Sequence, residues 1–368
     1  MDSRSKIPYL PRDIVNSIFL KLPVKTLSRF KSGCKSWHCC VDDADFIKSH
    51  LHNSSIDITR KKIFLVNFTP SLHTLKPKYE IASTEASINA DSKVVYLNIP
   101  EFCINYNLLQ VFSCSGLVLI TSYNPGYSMT LFNPAIGKYK LIPNPLNKNR
   151  CSMTSPIFGF AYDFVAEDYK VVCAHYLINE HFNVVEVYSI KDQCWRTIHN
   201  TFPGSSHSYL DDNQVSFNGV IHRMSLSAAI ISFHLVDEKF IVTPVPRTCG
   251  ERPTLHALGD CFCVFTTVGE ENLIWSLDKN RWNCISKFPT LNSLIGMSIW
   301  SDLQPEGIFL FVKENGNILW TKYDGSFIEY DPRKNKYTEF KLTQSHYIIA
   351  TSKTLYVESL VPLKISWD

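Results

Sequence analysis

The sequence predicts a mainly β chain, with a small helical unit over residues 4–51, a polar link over 52–60 and one large β domain over 61–368. Three observations carry that expectation. Apolar residues recur with helical spacing only near the start of the chain. Beyond residue 60 they fall into short runs bounded by polar turns, and a unit of strand, turn and aromatic residue repeats five times.

In the helical unit, Ile14, Ile18 and Leu22 recur every four residues, and Val15 and Phe19 line the neighbouring face. Pro11 suits a first helical turn, where a missing N–H costs nothing. Pro23 can open a second helix carrying Val24, Leu27 and Phe30, with Gly33 placed to close it, and a third short helix would hold Cys34, Trp37 and Val41. That is more apolar surface than a unit this small can bury, since chains of roughly 40–60 residues are marginal without help. The surplus points to a partner; the alternative is a helical cap packed on the rest of its own chain.

In the β domain the unit reads Leu131-Phe132-Asn133-Pro134-Ala135-Ile136-Gly137-Lys138-Tyr139, then Val187-Tyr188 through Trp195. It recurs as Ile231 through Phe240, Ile274 through Trp282 and Ile328 through Tyr337. The closing aromatics, at 139, 195, 240, 282 and 337, are 56, 45, 42 and 55 residues apart. A four-stranded propeller blade takes about 40–50 residues, so the spacing predicts a radial array of about five to six blades. A two-sheet β-sandwich is the competing architecture. Each blade buries both faces against its neighbours, which suits near-continuous apolar strands such as Gly116–Ile120 and Lys170–Cys173. Residues 61–68 would begin the first blade, and Leu355–Val361 could close the ring.

Composition limits what the chain can do. The first sixty residues carry ten basic and six acidic side chains and the remainder 27 and 28, so the large domain is neutral and unsuited to a nucleic-acid surface. No apolar run is long enough for a membrane span, and none near the start has the form of a signal peptide. The expected location is intracellular, in cytoplasm or nucleus, with the twelve cysteines as reduced thiols. There is no Gly-x-Ser-x-Gly turn, phosphate loop, dinucleotide fingerprint or His-Glu-x-x-His helix. Cys34, His38, Cys39 and Cys40 lack the two spaced pairs of a structural zinc site. No catalytic residue, cofactor or metal is therefore expected.

The order and spacing of Leu10-Pro11, Leu22-Pro23-Val24-Lys25-Thr26-Leu27, Arg29-Phe30-Lys31 and Cys34-Lys35-Ser36-Trp37 resemble an F-box. Ser17, Gly33 and Ala44 depart from it, standing where an acidic residue, Val and Pro are common. Leu131–Pro134, Phe158–Asp163, Asp168–Val172, Val185–Ser189 and Tyr356–Val361 look like the F-box-associated interaction domain of plant F-box proteins, several of which carry kelch-type repeats. This chain has no Gly-Gly doublet and so departs from true kelch motifs.

The resemblance implies a substrate-recognition subunit of an SCF (Skp-cullin-F-box) ubiquitin ligase, bound to a Skp-family adaptor and through it to a cullin. Its implied adaptor-binding residues are Leu10, Pro11, Ile14, Ile18, Leu22, Pro23, Val24, Leu27, Cys34 and Trp37. Trp37 could equally be core to the helices. The target protein is unknown; at least one of the long connections Ile142–Pro156 and His199–Asn213 is expected to rim its site. Competing readings are an F-box scaffold that drives no degradation, an S-locus-type recogniser of ribonucleases, and a propeller-fold enzyme.

Overall fold

The computed structural model describes residues 11–69, 78–89, 91–99, 109–123, 127–145, 156–177, 182–198, 202–203, 214–225, 229–246, 251–259, 261–278, 281–290, 308–321, 326–342 and 349–363. Four helices come first: α1 (Arg12–Phe19), α2 (Val24–Phe30), α3 (Lys35–Val41) and α4 (Ala44–Ile56). The sequence led us to expect three helices and an open link over 52–60. Instead α4, capped where the Asp43 carboxylate accepts the Phe46 N–H at 2.9 Å, runs through the first five of those residues. A 3₁₀ turn (Ile58–Arg60) then leads into the first strand.

Among the described residues, twenty-four strands form six four-stranded antiparallel sheets. Blade 1 joins β1 (Lys61–Thr69), β2 (Lys78–Glu85) and β3 (Val95–Tyr96) to the last strand, β24 (Ile349–Val357). Blade 2 is β4 (Leu109–Cys114), β5 (Leu117–Tyr123), β6 (Tyr127–Asn133) and β7 (Lys138–Ile142). Blade 3 is β8 (Ile157–Asp163), β9 (Asp168–Leu177), β10 (Phe182–Ser189) and β11 (Cys194–Ile198). Blade 4 is β12 (Gln214–Phe217), β13 (Val220–Met224), β14 (Ala229–His234) and β15 (Lys239–Pro244). Blade 5 is β16 (Glu251–Leu258), β17 (Cys261–Val268), β18 (Glu271–Asp278) and β19 (Arg281–Pro289). Blade 6 is β20 (Ile308–Val312), β21 (Ile318–Thr321), β22 (Phe327–Asp331) and β23 (Lys336–Phe340). The innermost strands β24, β4, β8, β12, β16 and β20 follow one another around the axis. The molecule is a six-bladed β-propeller.

Side-chain alternation explains why the strands are apolar throughout. Along β5, Val118 and Ile120 pack on Phe64 and Tyr356 of blade 1, whereas Leu117 and Leu119 pack on Phe160 and Val171 of blade 3. The ring closes twice. β24 pairs with β1 from Lys61↔Val357 onward, and Phe311, Leu319 and Phe327 of blade 6 bury against Ile63 and Leu65 of blade 1.

The repeated aromatics all fall on fourth strands, and their turns share one device. A residue at positive φ stands two positions before four of the five aromatics: Gly137 (65°), Gln193 (56°), Glu238 (53°) and Asn335 (49°); the matching position before Trp282 lies outside the described residues. Behind it, a polar side chain at or next to the end of the preceding strand ties the turn: Asn133 Oδ1 accepts the Ala135 N–H, Asp331 Oδ1 the Arg333 N–H, and Ser189 Oγ the Asp192 N–H. The aromatic then reaches back to the preceding blade. Trp195 Nε1 donates to Pro143 O at 2.7 Å, Trp282 Nε1 to Pro244 O at 3.0 Å, and the Tyr337 hydroxyl to Pro289 O. Phe240, which has no polar atom to donate, sets its ring edge-on against Phe202 at 5.5 Å.

Candidate adaptor-docking module

The four helices close around a small core of Phe19, Val24, Leu27, Val41, Phe46 and Ile47. Pro11 (φ −54°) caps α1 and Pro23 (φ −63°) caps α2, each one residue before the first helical position. Phe19, Phe30 and Trp37 form an aromatic triangle with centroids 5.3–5.9 Å apart. A Cβ built at Gly33 would lie 3.1 Å from the Trp37 ring, a tight approach that a larger residue would meet by shifting the indole a few tenths of an ångström. Ser17 turns its hydroxyl to Asp13 O at 2.8 Å on the exposed face of α1. Ala44 is the first residue of α4.

Polar groups seal the unit. His50 is buried, with Nε2 donating to Leu22 O at 2.9 Å, and burial pushes its pKa below the usual imidazole range. Arg60 donates to Leu20 O at 3.2 Å and Lys21 O at 2.6 Å, covering the carbonyls that follow the end of α1. The Cys40 thiol donates to Asn16 Oδ1, and burial pushes it up; His38 pairs with Asp42 at 3.3 Å. Among the described residues no cluster of His, Cys, Asp or Glu is placed to hold a metal ion.

The residues expected to bind an adaptor divide into two sets. Pro11, Pro23 and Cys34 are exposed; Ile14 and Ile18 keep 47% of their surface and Trp37 keeps 39%. Val24 and Leu27 are instead enclosed, at 1% and 0% exposure, and Leu22 is half-buried against the same core. Periodicity shows that α2 has an apolar face, and in the structure Val24 and Leu27 on that face hold the helices together. Leu10 lies outside the described residues. For Trp37 both readings hold, since one side of the ring packs on Phe19 and Phe30 and the rest is open.

The module sits on one face of the propeller. Lys48 Nζ meets Glu167 in the β8–β9 turn at 2.7 Å, Leu51 lies over Gly116 in the β4–β5 turn, and Ala135 and Ile136 of the β6–β7 turn pack on the helical core. Sequence reasoning marked Asn133-Pro134 as part of a repeat unit and Tyr356–Val361 as a segment that could close the ring; the structure puts Asn133 and the end of the second segment, Ser359 to Val361, at this seat. Within blade 3, Cys173 Sγ, His175 and Glu186 form a string, with His175 Nε2 2.6 Å from Glu186. His175 and Glu186 are 3% and 0% exposed, so the string lies inside the sheet packing and has no open side for a substrate.

The structure is a four-helix unit with an exposed apolar helix face, joined to a six-bladed ring. The chain belongs to the F-box-associated β-propeller family: the family model described as F-box associated beta propeller domain matches residues 54–363, and the F-box domain model matches residues 7–49. It is similar to the F-box/kelch-repeat protein At3g23880 of Arabidopsis thaliana, 28% identical over 277 residues that cover 69% of this chain and 72% of that one. The F-box/kelch-repeat protein At3g44120 of the same plant is 25% identical over 276 residues, 69% of this chain and 67% of the relative. Another Arabidopsis F-box protein is 28% identical over 230 residues, where the alignment spans 48% of the relative's length. No helix among the described residues is long and apolar enough to cross a membrane.

Proposed function

We propose that this protein is the substrate-recognition subunit of an SCF ubiquitin ligase, docking a Skp-family adaptor through α1 and its surroundings and holding a target protein on the propeller. The observation that carries the reading is the pair Ile14 and Ile18: each is 47% exposed although the core beside them is already closed. Apolar side chains left open in this way on a folded unit are what a partner covers. The exposed residues Pro11, Pro23, Cys34 and Trp37 complete the proposed surface. Val24 and Leu27 support it from within.

Topology favours the far face for the target. The module covers the face bearing the β4–β5, β6–β7 and β8–β9 turns; β7 ends and β8 begins at the opposite face, as β11 ends and β12 begins. The connections over 142–156 and 199–213 therefore both arise away from the adaptor side. Their segments 146–155, 199–201 and 204–213 lie outside the described residues. Such a subunit needs no catalytic group of its own. Holding a target beside the transferring enzyme converts a bimolecular encounter into an effectively intramolecular one.

The test is the double substitution Ile14→Ala/Ile18→Ala in the full chain, with Val24→Ala as the control for the core. Truncating a buried interface anchor costs about 2 kcal/mol or more, near 30-fold in affinity. We expect the double variant to lose co-purification with a Skp-family adaptor while keeping the parent melting temperature, and Val24→Ala to lower helix stability. Undiminished adaptor binding by the double variant would refute the assignment.

A further inference from the structure

We propose that the segment Glu358–Leu363, which follows the last blade strand, is a working part of the adaptor-docking module: it completes the helical core and locks the module to blades 1–3 in one orientation. The inference rests on the adaptor reading for its consequence but on packing alone for its substance.

The segment is stitched in alternating directions. Leu360, 3% exposed, enters the helical core with Phe19, Leu27 and Phe46, so one member of that core comes from more than 300 residues away. Leu363, 8% exposed, points the other way into the layer between blades 2 and 3. Between them the backbone is held by Asn133, itself fully buried. Its Nδ2 donates to Ser359 O at 3.1 Å, Ser359 Oγ at 3.2 Å and Val361 O at 2.9 Å, while its Oδ1 accepts the Ala135 N–H.

Ser359 Oγ in turn donates to Gly116 O at 3.0 Å. Gly116 has φ +81°, and a Cβ built on it would lie 2.3 Å from that of Ser359. Only a residue without a side chain allows the approach. At the start of the segment, Glu358 meets Lys62 at 2.9 Å, which joins it to β1 just after the helices end. Burial disfavours the Lys62 charge, but Glu358 and Glu85 more than offset it, and the ammonium is held above its ordinary pKa.

Two consequences follow. The helical core is incomplete without Leu360, so the adaptor surface on α1 depends on a folded propeller. The module also cannot swivel on a flexible link, so a target on the far face is presented to the rest of the ligase at a fixed angle.

Amide hydrogen exchange on the full chain tests this directly. In Leu360→Ala and in Asn133→Asp, which puts a carboxylate against two carbonyls, we expect helix amides of residues 12–56 to exchange at least tenfold faster. Amides of blades 4 and 5 should be unchanged. Adaptor affinity, measured by titration with a purified Skp-family adaptor, should fall in parallel. Should Leu360→Ala also lose strand protection, Ser359→Ala decides, because it removes only the hydroxyl contacts: helix exchange at least threefold faster with strands unchanged supports the latch. Helix protection at the parent level in Asn133→Asp and Ser359→Ala overturns it. A parent chain that binds no adaptor would refute the docking function and leave the exchange result standing by itself.

Discussion

Trp195 and Trp282 occupy the same place in the repeat, yet the structure separates what each contributes. Trp195 is 8% exposed, lies between blades 2 and 3 with its ring 5.2 Å from Tyr188, and donates to Pro143 O at 2.7 Å. Replacing it by Ala removes a nearly complete indole from a packed layer, which costs about 3–5 kcal/mol. The Pro143 carbonyl belongs to an exposed residue and can turn to water, so the lost hydrogen bond adds only about 1 kcal/mol. Trp282 is only half-buried against blade 4, and its bond to Pro244 O, at 3.0 Å, is on the surface. With about half the area at stake, Trp282→Ala should cost about 2 kcal/mol. At roughly 2 °C per kcal/mol for a chain of this size, scanning calorimetry should place Trp195→Ala about 10 °C and Trp282→Ala about 4 °C below the parent. Trp195→Phe, which keeps most of the ring and loses the donor, should fall by about 2 °C. Equal losses for the two Ala variants, or a larger loss at Trp282, would refute the claim that packing between blades sets the value of each aromatic.

Acid sensitivity has a specific source. Burial pushes His256 down to about 3 and His222, stacked on Phe262 with centroids 4.1 Å apart, down to about 4. Both fold in the neutral form, so their contribution is complete above the ordinary imidazole value of 6.5 and is lost as pH falls toward the folded values, by about 1.4 kcal/mol per pH unit for each. The melting temperature should be level from pH 8 to 7 and fall from 6.5 to 4.5. His256→Gln should flatten that fall, and an unchanged slope would exclude His256 as its cause. For target binding, replacing 146–155 or 204–213 by a short Gly-Ser linker should spare adaptor binding and reduce capture of a target found with the parent chain. If both replacements leave capture and turnover intact, recognition lies on another surface.

The ring was largely legible because its punctuation is local. Three of the repeated units couple a capping Asn, Asp or Ser, a left-handed turn residue and an aromatic within about ten positions, and the five aromatics found in the sequence lie within β7, β11, β15, β19 and β23. The sixth unit left no trace for a physical reason. Blade 1 takes its inner strand from β24 and ends on the two-residue β3, so no long hairpin exists there to carry the pattern. That also explains why the sequence supported five to six blades without choosing. The helical boundary was lost for the opposite reason: His52-Asn53-Ser54-Ser55 reads as a polar link, but Ser54 is buried and held by Arg60, and the Asp43 cap had already set α4 in motion.

At the docking module, the sequence showed how much apolar surface there is but not what covers it. Ile14 and Val24 carry the same local signal, an apolar residue at helical spacing; one is half open and the other sealed, because the aromatic triangle and α4 close over α2 and leave the outer face of α1 bare. The surplus that pointed to a partner was real, but part of it is met inside the chain. Leu360, Ala135 and Ile136 take up apolar surface that the helices present toward the ring, and Asn133 and Gly116 fix where that happens. No window of neighbouring residues contains this information, since the contact spans the whole propeller. What remains uncovered on α1 is therefore a smaller and more specific surface than periodicity suggests, and on the latch proposal it takes its final form only once the ring has closed.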